Sequence, residues 1–332
     1  MSEAQSDQER VRGIVVKLDR GFPLVRIDGT GEELRCEHAT ALVKGSDARA
    51  VVGDRVVVVL PPSHDKGIID QTLPRTSTFV RKDPTERALA QTLAANFDLV
   101  LVAQPIEEIN VRRLERELVL AHETGVEVAV VLTKADLMAS PDEVDVVRRR
   151  IDGFIGDDAL IVVSDKDPSS VDGLAHLIAD GDRTAVLIGR SGVGKSSLVN
   201  MLVGHDLQAT TPVRGDGKGR HTTVSREIIE LPAGGRIIDM PGVRGLGLWD
   251  ADEGIGAAFP DVAELAQECR FRDCTHVNEP GCAVRAAVEA GALSASRLES
   301  YVRLREESEQ VKTRREEAER IRTRRGHPRR RR

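Results

Sequence analysis

The stretch GRSGVGKS at residues 189–196 decides the fold, because it satisfies the pattern GxxxxGK[ST] and follows the apolar run TAVLI. This pattern joins a strand to a helix through a loop whose backbone N–H groups surround phosphate oxygens. The candidate phosphate-binding residues are Gly189, Arg190, Ser191, Gly192, Val193, Gly194, Lys195, Ser196 and Ser197. Among them, we expect Lys195 to reach the outer phosphates and Ser196 to bind Mg²⁺.

Apolar runs alternate with helical segments on both sides of this loop. The candidate strands are FDLVLVA, VAVVLT, LIVVSD, TAVLIG and RIIDM, and a helical pattern such as VRRLERELVLAHETG lies between two of them. Such alternation is typical of a doubly wound parallel sheet. The sequence therefore predicts an α/β fold with a phosphate loop inside it.

A second motif, DMPG at residues 239–242, ends the strand RIIDM and matches the pattern DxxG. Alone it is only a turn, but after a phosphate loop it predicts that Asp239 holds the magnesium shell through water. The Gly242 amide is then expected to sense the terminal phosphate. The intervening segment is rich in Gly, Thr and charge, as a switch would be. Within it, Thr222 or Thr223 can supply a second hydroxyl to magnesium.

The motif TKAD at residues 133–136 precedes the phosphate loop in the chain. Lys134 can cover one face of a purine, and Asp136 can accept from the ring N–H and exocyclic amine of guanine, a pair that adenine lacks. The next apolar strand ends at Ser164, where a second base-contacting loop is expected. In ordinary GTPases the phosphate loop comes first. The order here predicts a circularly permuted GTPase with GTP as its substrate, and it disfavours a P-loop kinase.

Residues 1–80 hold short Val- and Ile-rich runs separated by turn signals, which predicts a small antiparallel barrel. This region carries eleven basic and twelve acidic residues, and Phe22 and Phe79 are its only aromatic residues. Stacking on single-stranded bases is therefore a poor hypothesis. Contact with folded rRNA through phosphates and shape, or docking of the barrel on protein, are the alternatives.

Three cysteines and one histidine lie close together after the sheet region: Cys269, Cys274, His276 and Cys282. Their side chains match a closed tetrahedral Cys₃His site for one Zn²⁺ per chain, a type that is usually structural. Disulfides are the alternative, which a cytosolic chain disfavours. Cys36 stands alone in a strand and is expected to be a buried thiol.

Charge is unevenly distributed: residues 301–332 carry thirteen Arg or Lys and six Glu, although the whole chain has a net charge of −6. This basic arm fits either a solvated helix with a frayed end or a contact with nucleic acid. No apolar run approaches the roughly 20 residues that cross a bilayer, and the first residues are polar and acidic. We therefore expect a cytoplasmic protein without a membrane partner.

The motif order, with a barrel before it and a cysteine cluster after it, resembles the ribosome small subunit-dependent GTPase A family of bacterial assembly factors along nearly the whole chain. The resemblance is carried by GRSGVGKSSLVN, GRHTT, DMPGVRGLGLW, TKADL and CRFRDCTHVNEPGCAV. It implies an oligonucleotide-binding barrel over residues 1–80, a permuted GTPase domain over 81–250, and a helical zinc-binding domain with a basic tail over 251–332. It also implies late maturation of the 30S ribosomal subunit, with 16S rRNA and other small-subunit assembly factors as partners of a monomer.

Two positions depart from what GTPase motifs usually contain. Val243 follows DxxG where a water-orienting Gln is common, so by similarity to the family His221 is the catalytic candidate, the alternative being a loop histidine without a role. Thr133 replaces the usual Asn of NKxD, which weakens one bridge to the base and the neighbouring loop. The resemblance predicts slow hydrolysis that the 30S subunit accelerates. The alternative function is a nucleotide-regulated rRNA-binding clamp with incidental hydrolysis.

Overall fold

A computed structural model describes residues 9–19, 22–43, 49–61, 66–82, 90–205, 207, 226–240, 247–249 and 251–325. Along the chain these residues form a strand-rich region, then alternating strands and helices, then a helical region. This order confirms the predicted fold class. The domain boundaries predicted at residues 80 and 250 stay predictions.

Five strands in the first region close into a barrel: β1 (Glu9–Asp19), β2 (Phe22–Ile27), β3 (Glu33–His38), β4 (Arg55–Leu60) and β5 (Gly67–Thr72). A short helix, α1 (Thr40–Val43), lies between β3 and β4. The strands pair in the order β1-β2-β3-β5-β4, and β4 returns to β1. Val15, Val58 and Ile69 are fully buried inside the barrel, and so is Cys36, as its sequence predicted.

The second region contains a hairpin, β6 (Thr78–Lys82) and β7 (Ala90–Ala95), and then a largely parallel sheet. Its strands are β8 (Leu99–Pro105), β9 (Glu127–Thr133), β10 (Ala159–Val162), β11 (Thr184–Ile188), β12 (Arg226–Glu230) and β13 (Arg236–Asp239). They lie in the order β10-β9-β8-β11-β13-β12, and only β12 runs antiparallel to its neighbour among these described strands. Strands β8, β9 and β11 are buried on both faces, which explains why the central part of each is a continuous run of apolar residues.

Helices cover both faces of this sheet: α2 (Val111–His122), α3 (Pro141–Ile155), α4 (Asp172–Ala179) and α5 (Lys195–Val203). Leu118 of α2 and Ile151 of α3 belong to the core on one face. Ile178 of α4 and Leu198 of α5 belong to the core on the other face. The sheet is therefore doubly wound, as the sequence predicted.

The barrel and the parallel sheet are continuous, a feature that the sequence pattern did not reveal. Strand β1 pairs antiparallel with β12, where Lys17 lies opposite Glu227. The Lys17 ammonium donates to the Glu227 carboxylate at 2.5 Å, and Arg26 of β2 donates to Glu230 at 2.7 Å. One eleven-stranded sheet thus runs from β10 to β4.

The third region consists of α6 (Asp252–Ala258), α7 (Pro260–Ala266), α8 (Ala283–Glu289) and the long α9 (Ala295–Arg325). Its apolar side chains continue the core on the α2 face, where the Phe259 and Tyr301 rings meet edge to face at 5.5 Å. The Arg297 guanidinium lies 4.1 Å from the centre of the Phe259 ring and donates to Asp261. Among the described residues, none of the helices combines the length and apolar character that crossing a bilayer requires.

Candidate nucleotide site and metal centre

The loops that were predicted to bind nucleotide leave one edge of the parallel sheet. Strands β8, β9, β10, β11 and β13 run in the same direction, so their carboxyl ends meet there. This brings together Thr133 at the end of β9, Ser164 after β10, Gly189 after β11 and Asp239 at the end of β13. Ligands of open α/β sheets bind at this edge, so TKAD and the phosphate loop share one site although TKAD comes earlier in the chain.

The phosphate loop needs glycine at two of its turns. Gly189 has a φ of 145°, and a Cβ there would lie 2.7 Å from the Ala103 carbonyl oxygen. Gly194, with a φ of 101°, precedes the first turn of α5. The remaining residues of the predicted set lie as follows: Ser191, Gly192 and Arg190 are exposed, Val193 is buried, and Ser196 and Ser197 are half-buried in the first turn of α5. The N-terminus of α5 thus faces the loop, as phosphate binding requires.

Lys195 is only 8% exposed. Its ammonium group donates to the carbonyls of Gly189 at 2.8 Å and Arg190 at 3.1 Å, so it lies folded back against the phosphate loop. Burial lowers the pKa of Lys195, while Asp239 and Glu117 act in the opposite direction. Because these carboxylates keep a cation favourable there, Lys195 is suited to meet the negative charge of phosphate oxygens.

Glu117 is a buried residue of this site that sequence reasoning missed. It is fully buried on α2, where its carboxylate accepts from Arg113 at 2.8 Å and from the Gln104 amide at 2.5 Å. Burial raises its pKa, and Arg113 counteracts this. A glutamate on the apolar face of an amphipathic helix was the available signal, since charge at such a position requires a buried partner.

Two described side chains suit a magnesium ion beside the phosphates. Asp239 ends β13 and is 5% exposed, and Ser196 lies in the first turn of α5 directly after Lys195. Carboxylate and hydroxyl oxygens are the ligands that Mg²⁺ takes in nucleotide sites. The other predicted members of the site, His221, Thr222, Thr223 and Gly242, lie outside the described residues, so their roles stay predictions.

The base-binding side of the site is formed by the turn after β9. Lys134 adopts a left-handed conformation with a φ of 62°, and its ammonium group lies 3.3 Å from a carboxylate oxygen of Glu107. Asp136 accepts from the backbone N–H of Asp165 at 3.3 Å, which links the TKAD turn to the loop that begins at Ser164. The two predicted base-contacting loops are therefore neighbours, and the role of Glu107 was not visible in the sequence.

Thr133 contacts the phosphate loop directly. Its hydroxyl donates to the carbonyl of Val193, and it lies 3.2 Å from the carbonyl oxygen of Gln104. A Cβ on Gly194 would approach the Thr133 side chain to 3.3 Å. The sequence predicted that threonine here weakens one bridge to the base and the neighbouring loop, which stays a prediction. In the structure a hydrogen bond still joins the two loops.

The predicted zinc ligands converge in the third region. The ligand atoms of Cys269, Cys274, His276 and Cys282 all lie within 4.8 Å of one another. His276 Nδ1 is 3.4 Å from Cys282 Sγ and 3.6 Å from Cys269 Sγ, and these two sulfurs are 3.9 Å apart. Zn–S bonds of about 2.3 Å and Zn–N bonds of about 2.0 Å in a tetrahedron give S–S edges of about 3.8 Å and S–N edges of about 3.5 Å.

The surroundings of this cluster suit a structural metal. Three of the four ligands are buried, and burial raises the pKa of the Cys274 thiol to about 12. A metal ion offsets that cost because it binds the thiolate. The His276 ring also lies 5.8 Å from the Tyr301 ring of α9. The donor set therefore fits one Zn²⁺ held by the segment between α7 and α8, which packs beside α9.

Known proteins are similar to this chain in sequence. The profile of the RsgA GTPase family matches residues 72–249. A small ribosomal subunit biogenesis GTPase RsgA from Streptomyces coelicolor is 43% identical over 304 residues, covering 90% of this chain and 81% of the relative.

Two solved structures share the fold as well. YjeQ from Thermotoga maritima has a TM-score of 0.66 and 27% identity, covering 90% of this chain and 99% of that one. YloQ, described as a circularly permuted GTPase, has a TM-score of 0.62 and 26% identity, covering 93% and 98%. The chain therefore belongs to the RsgA GTPase family, and it hydrolyses GTP at a site whose motifs occur in permuted order.

Proposed function

We propose that this GTPase acts late in the maturation of the 30S ribosomal subunit, that the subunit accelerates hydrolysis, and that hydrolysis releases the protein. The observation that carries the catalytic part is the convergence of Lys195, Asp239 and Asp136 on one sheet edge. The ribosomal part rests on the relatives, which are described as small ribosomal subunit biogenesis GTPases.

The residues divide the reaction between them. Asp136 selects guanine, and the phosphate loop and Lys195 hold the phosphates. Ser196 and, through water, Asp239 would hold Mg²⁺, which would neutralise charge on the transferred phosphoryl group. Water attacks the terminal phosphorus, and the bond to the GDP oxygen breaks. Val243 carries no group that can orient this water, so we assign that role to His221. Thr223 would complete the magnesium shell, and the Gly242 amide would sense the terminal phosphate.

The proposed partners are the 30S subunit and its 16S rRNA, with other small-subunit assembly factors acting beside a monomeric, cytoplasmic protein. Residues 301–332 carry a net positive charge, which favours contact with rRNA phosphates. The nearly neutral barrel favours recognition of rRNA shape over tracking of the backbone. The same features also support the second candidate function, an rRNA-binding clamp whose hydrolysis is incidental.

Turnover measurements separate the two functions. Purified protein is incubated with GTP or ATP, with and without 30S subunits, at fixed salt concentration. We expect the protein alone to turn over GTP slowly and ATP not at all. Subunits should raise GTP turnover at least about ten-fold, whereas a well-positioned catalytic group typically supplies roughly 10²–10⁴-fold. Binding of GTP without subunit-dependent turnover would favour the clamp.

The role of His221 is tested in the same assay. We expect His221→Ala to abolish most of the subunit-stimulated turnover while GDP affinity stays within about two-fold, because the residue acts on water. His205→Ala, at an exposed histidine just after α5, is the matched control. Unchanged stimulated turnover in His221→Ala would show that another group orients the water.

A further inference from the structure

The long helix α9 contacts Leu248, Trp249 and Asp252, which belong to the described part of the segment that follows DxxG. Glu307 accepts from the backbone N–H of Leu248 at 3.4 Å, and Leu248 is fully buried. The Arg315 guanidinium lies 4.7 Å from the centre of the Trp249 ring. Asp252 accepts from Ser308 at 3.1 Å and also from Lys312. Residues from several turns of α9 therefore contact this segment, which lies shortly after Asp239 in the chain.

The same glutamate binds helix α2. Both carboxylate oxygens of Glu307 accept from the Arg116 guanidinium, at 2.7 and 2.6 Å. This pair is partly buried, and it is bidentate, the geometry that makes such a pair strong and directional. Arg112 and Glu299 form a second, exposed contact between α2 and α9 at 3.1 Å. Glu307 is thus the point where α9, α2 and the segment after DxxG meet.

Helix α2 continues this connection to the phosphate loop. Glu117 follows Arg116 directly. Its carboxylate accepts from the Gln104 amide, and together with Asp239 it opposes the lowering of the Lys195 pKa by burial. The backbone carbonyl of Gln104 in turn lies 3.2 Å from the Thr133 hydroxyl. A shift of α2 along α9 would therefore be felt at Lys195 and at the start of the base loop.

We propose that Glu307 is a positioning residue that couples α9 to the nucleotide site, so that the nucleotide state changes the α9 contacts and a partner bound to the C-terminal region changes hydrolysis. Reciprocity by thermodynamic necessity applies to the binding of nucleotide and of partner, whereas the change in hydrolysis is a separate kinetic effect of the same contacts. The partner half of the inference rests on the proposed function, in which the partner is the small ribosomal subunit. The nucleotide half does not.

The nucleotide half is tested with Trp249, which is the sole tryptophan of the chain. In the full-length protein, replacing GDP with a non-hydrolysable GTP analogue is expected to change the Trp249 emission, because the ring stacks against α9. Glu307→Gln keeps the side-chain shape and removes its charge, and we expect it to lose most of this change. Glu306→Gln, at the exposed neighbour, is expected to keep it. The proposal is overturned if Trp249 emission in the native protein does not change with the nucleotide. It is also overturned if the change is equal in Glu307→Gln and Glu306→Gln.

The partner half is tested by turnover with saturating 30S subunits. For Glu307→Gln we expect at least about a five-fold loss of stimulated turnover, the lower end of typical allosteric effects. Intrinsic turnover and KM for GTP, both measured without subunits, are expected to stay within about two-fold of the native values. Arg116→Gln removes the other half of the pair and should reproduce this pattern, and thermal unfolding checks that both variants fold.

The outcomes separate the two proposals. If subunits fail to stimulate the native protein, the proposed function fails, and Trp249 emission still decides the role of Glu307. If subunits stimulate the native protein, Glu307→Gln and Arg116→Gln equally, the proposed function stands and the coupling through Glu307 is refuted.

Discussion

The Thr133 hydroxyl donates to the carbonyl of Val193, and this hydrogen bond joins the base-binding turn to the phosphate loop. The two residues are 60 positions apart in the chain. Both are buried, Thr133 to 3% exposure and Val193 to 1%. A buried carbonyl requires a donor. Thr133 therefore supplies a contact between the two loops at the position where GTPases usually have an asparagine.

Removal of this hydroxyl is expected to loosen both loops. Thr133→Val keeps the side-chain volume but leaves the Val193 carbonyl without this donor, at a cost of about 1 to 3 kcal/mol in the free energy of unfolding. We expect weaker binding of GDP and of GTP alike, because the phosphate loop loses a fixed contact before the nucleotide arrives. Urea unfolding and GDP titration measure the two effects. Thr133→Ser retains the donor, so equal losses in both variants would contradict this account.

The sequence predicted what depends on short-range patterns. The phosphate loop, TKAD and the Cys₃His cluster were found because each needs particular residue types at fixed spacing, and the strands were found because buried parallel strands are apolar throughout. The pairing of β1 with β12 was not predicted, since the partners Lys17 and Glu227 lie far apart in the chain and a partly buried ion pair between distant residues leaves no sequence pattern.

The polar contacts inside the site were missed for a related reason. Glu117 and Glu107 act through residues that only the folded sheet brings near: Gln104 and Arg113 for the first, Lys134 for the second. A charged residue in a helix or a turn is usually solvated. Its partner is fixed by tertiary packing, which sequence periodicity does not report.

Glu107 is expected to set the position of Lys134. The Glu107 carboxylate lies 3.3 Å from the ammonium group of Lys134, whose backbone is left-handed at the start of the turn that carries Asp136. Glu107→Gln should weaken GDP binding by a few-fold, because a surface ion pair contributes roughly 0.2 to 1 kcal/mol. The loss should shrink at high salt, where such pairs are screened.

The adjacent residue supplies the control for this prediction. Glu108 lies 3.7 Å from Arg190 of the phosphate loop and does not share the Lys134 contact. We expect Glu108→Gln to leave GDP affinity close to the native value, whereas Glu107→Gln should weaken binding of guanine and inosine nucleotides alike through Lys134. Identical behaviour of the two variants would point to general electrostatics at the site.

Zinc is expected to stabilise the C-terminal region without forming part of the nucleotide site. Cys274→Ser should remove the one Zn²⁺ per chain, measured by elemental analysis, and should lower the Tm, because the metal offsets the cost of ordering this loop. GDP affinity should change little, since Lys195 and Asp136 belong to the sheet edge. Cys36→Ala, in the barrel core, should keep its zinc. Full zinc content in Cys274→Ser would refute the ligand assignment.

The contacts of α9 are expected to weaken in acid. Burial opposes the shift, but the Arg116 hydrogen bonds lower the pKa of Glu307 below its ordinary value of 4.5, with Arg303 adding to the effect. The Lys312 hydrogen bond likewise lowers the pKa of Asp252. A carboxyl whose pKa is lower in the folded state stabilises that state above the unfolded pKa, and this contribution disappears as the pH falls through the folded value.

Acidification from about pH 6 should therefore leave Trp249 emission steady until the pH passes below the ordinary glutamate pKa of 4.5, and then shift it as α9 loosens. The free energy of unfolding should fall over the same range. Glu307→Gln should begin with weaker α9 contacts and show a smaller dependence on pH, because it has lost one of the two titrating groups. Glu306→Gln is the control at an exposed position. Identical pH profiles for native protein and Glu307→Gln would mean that this carboxylate does not hold α9 in place.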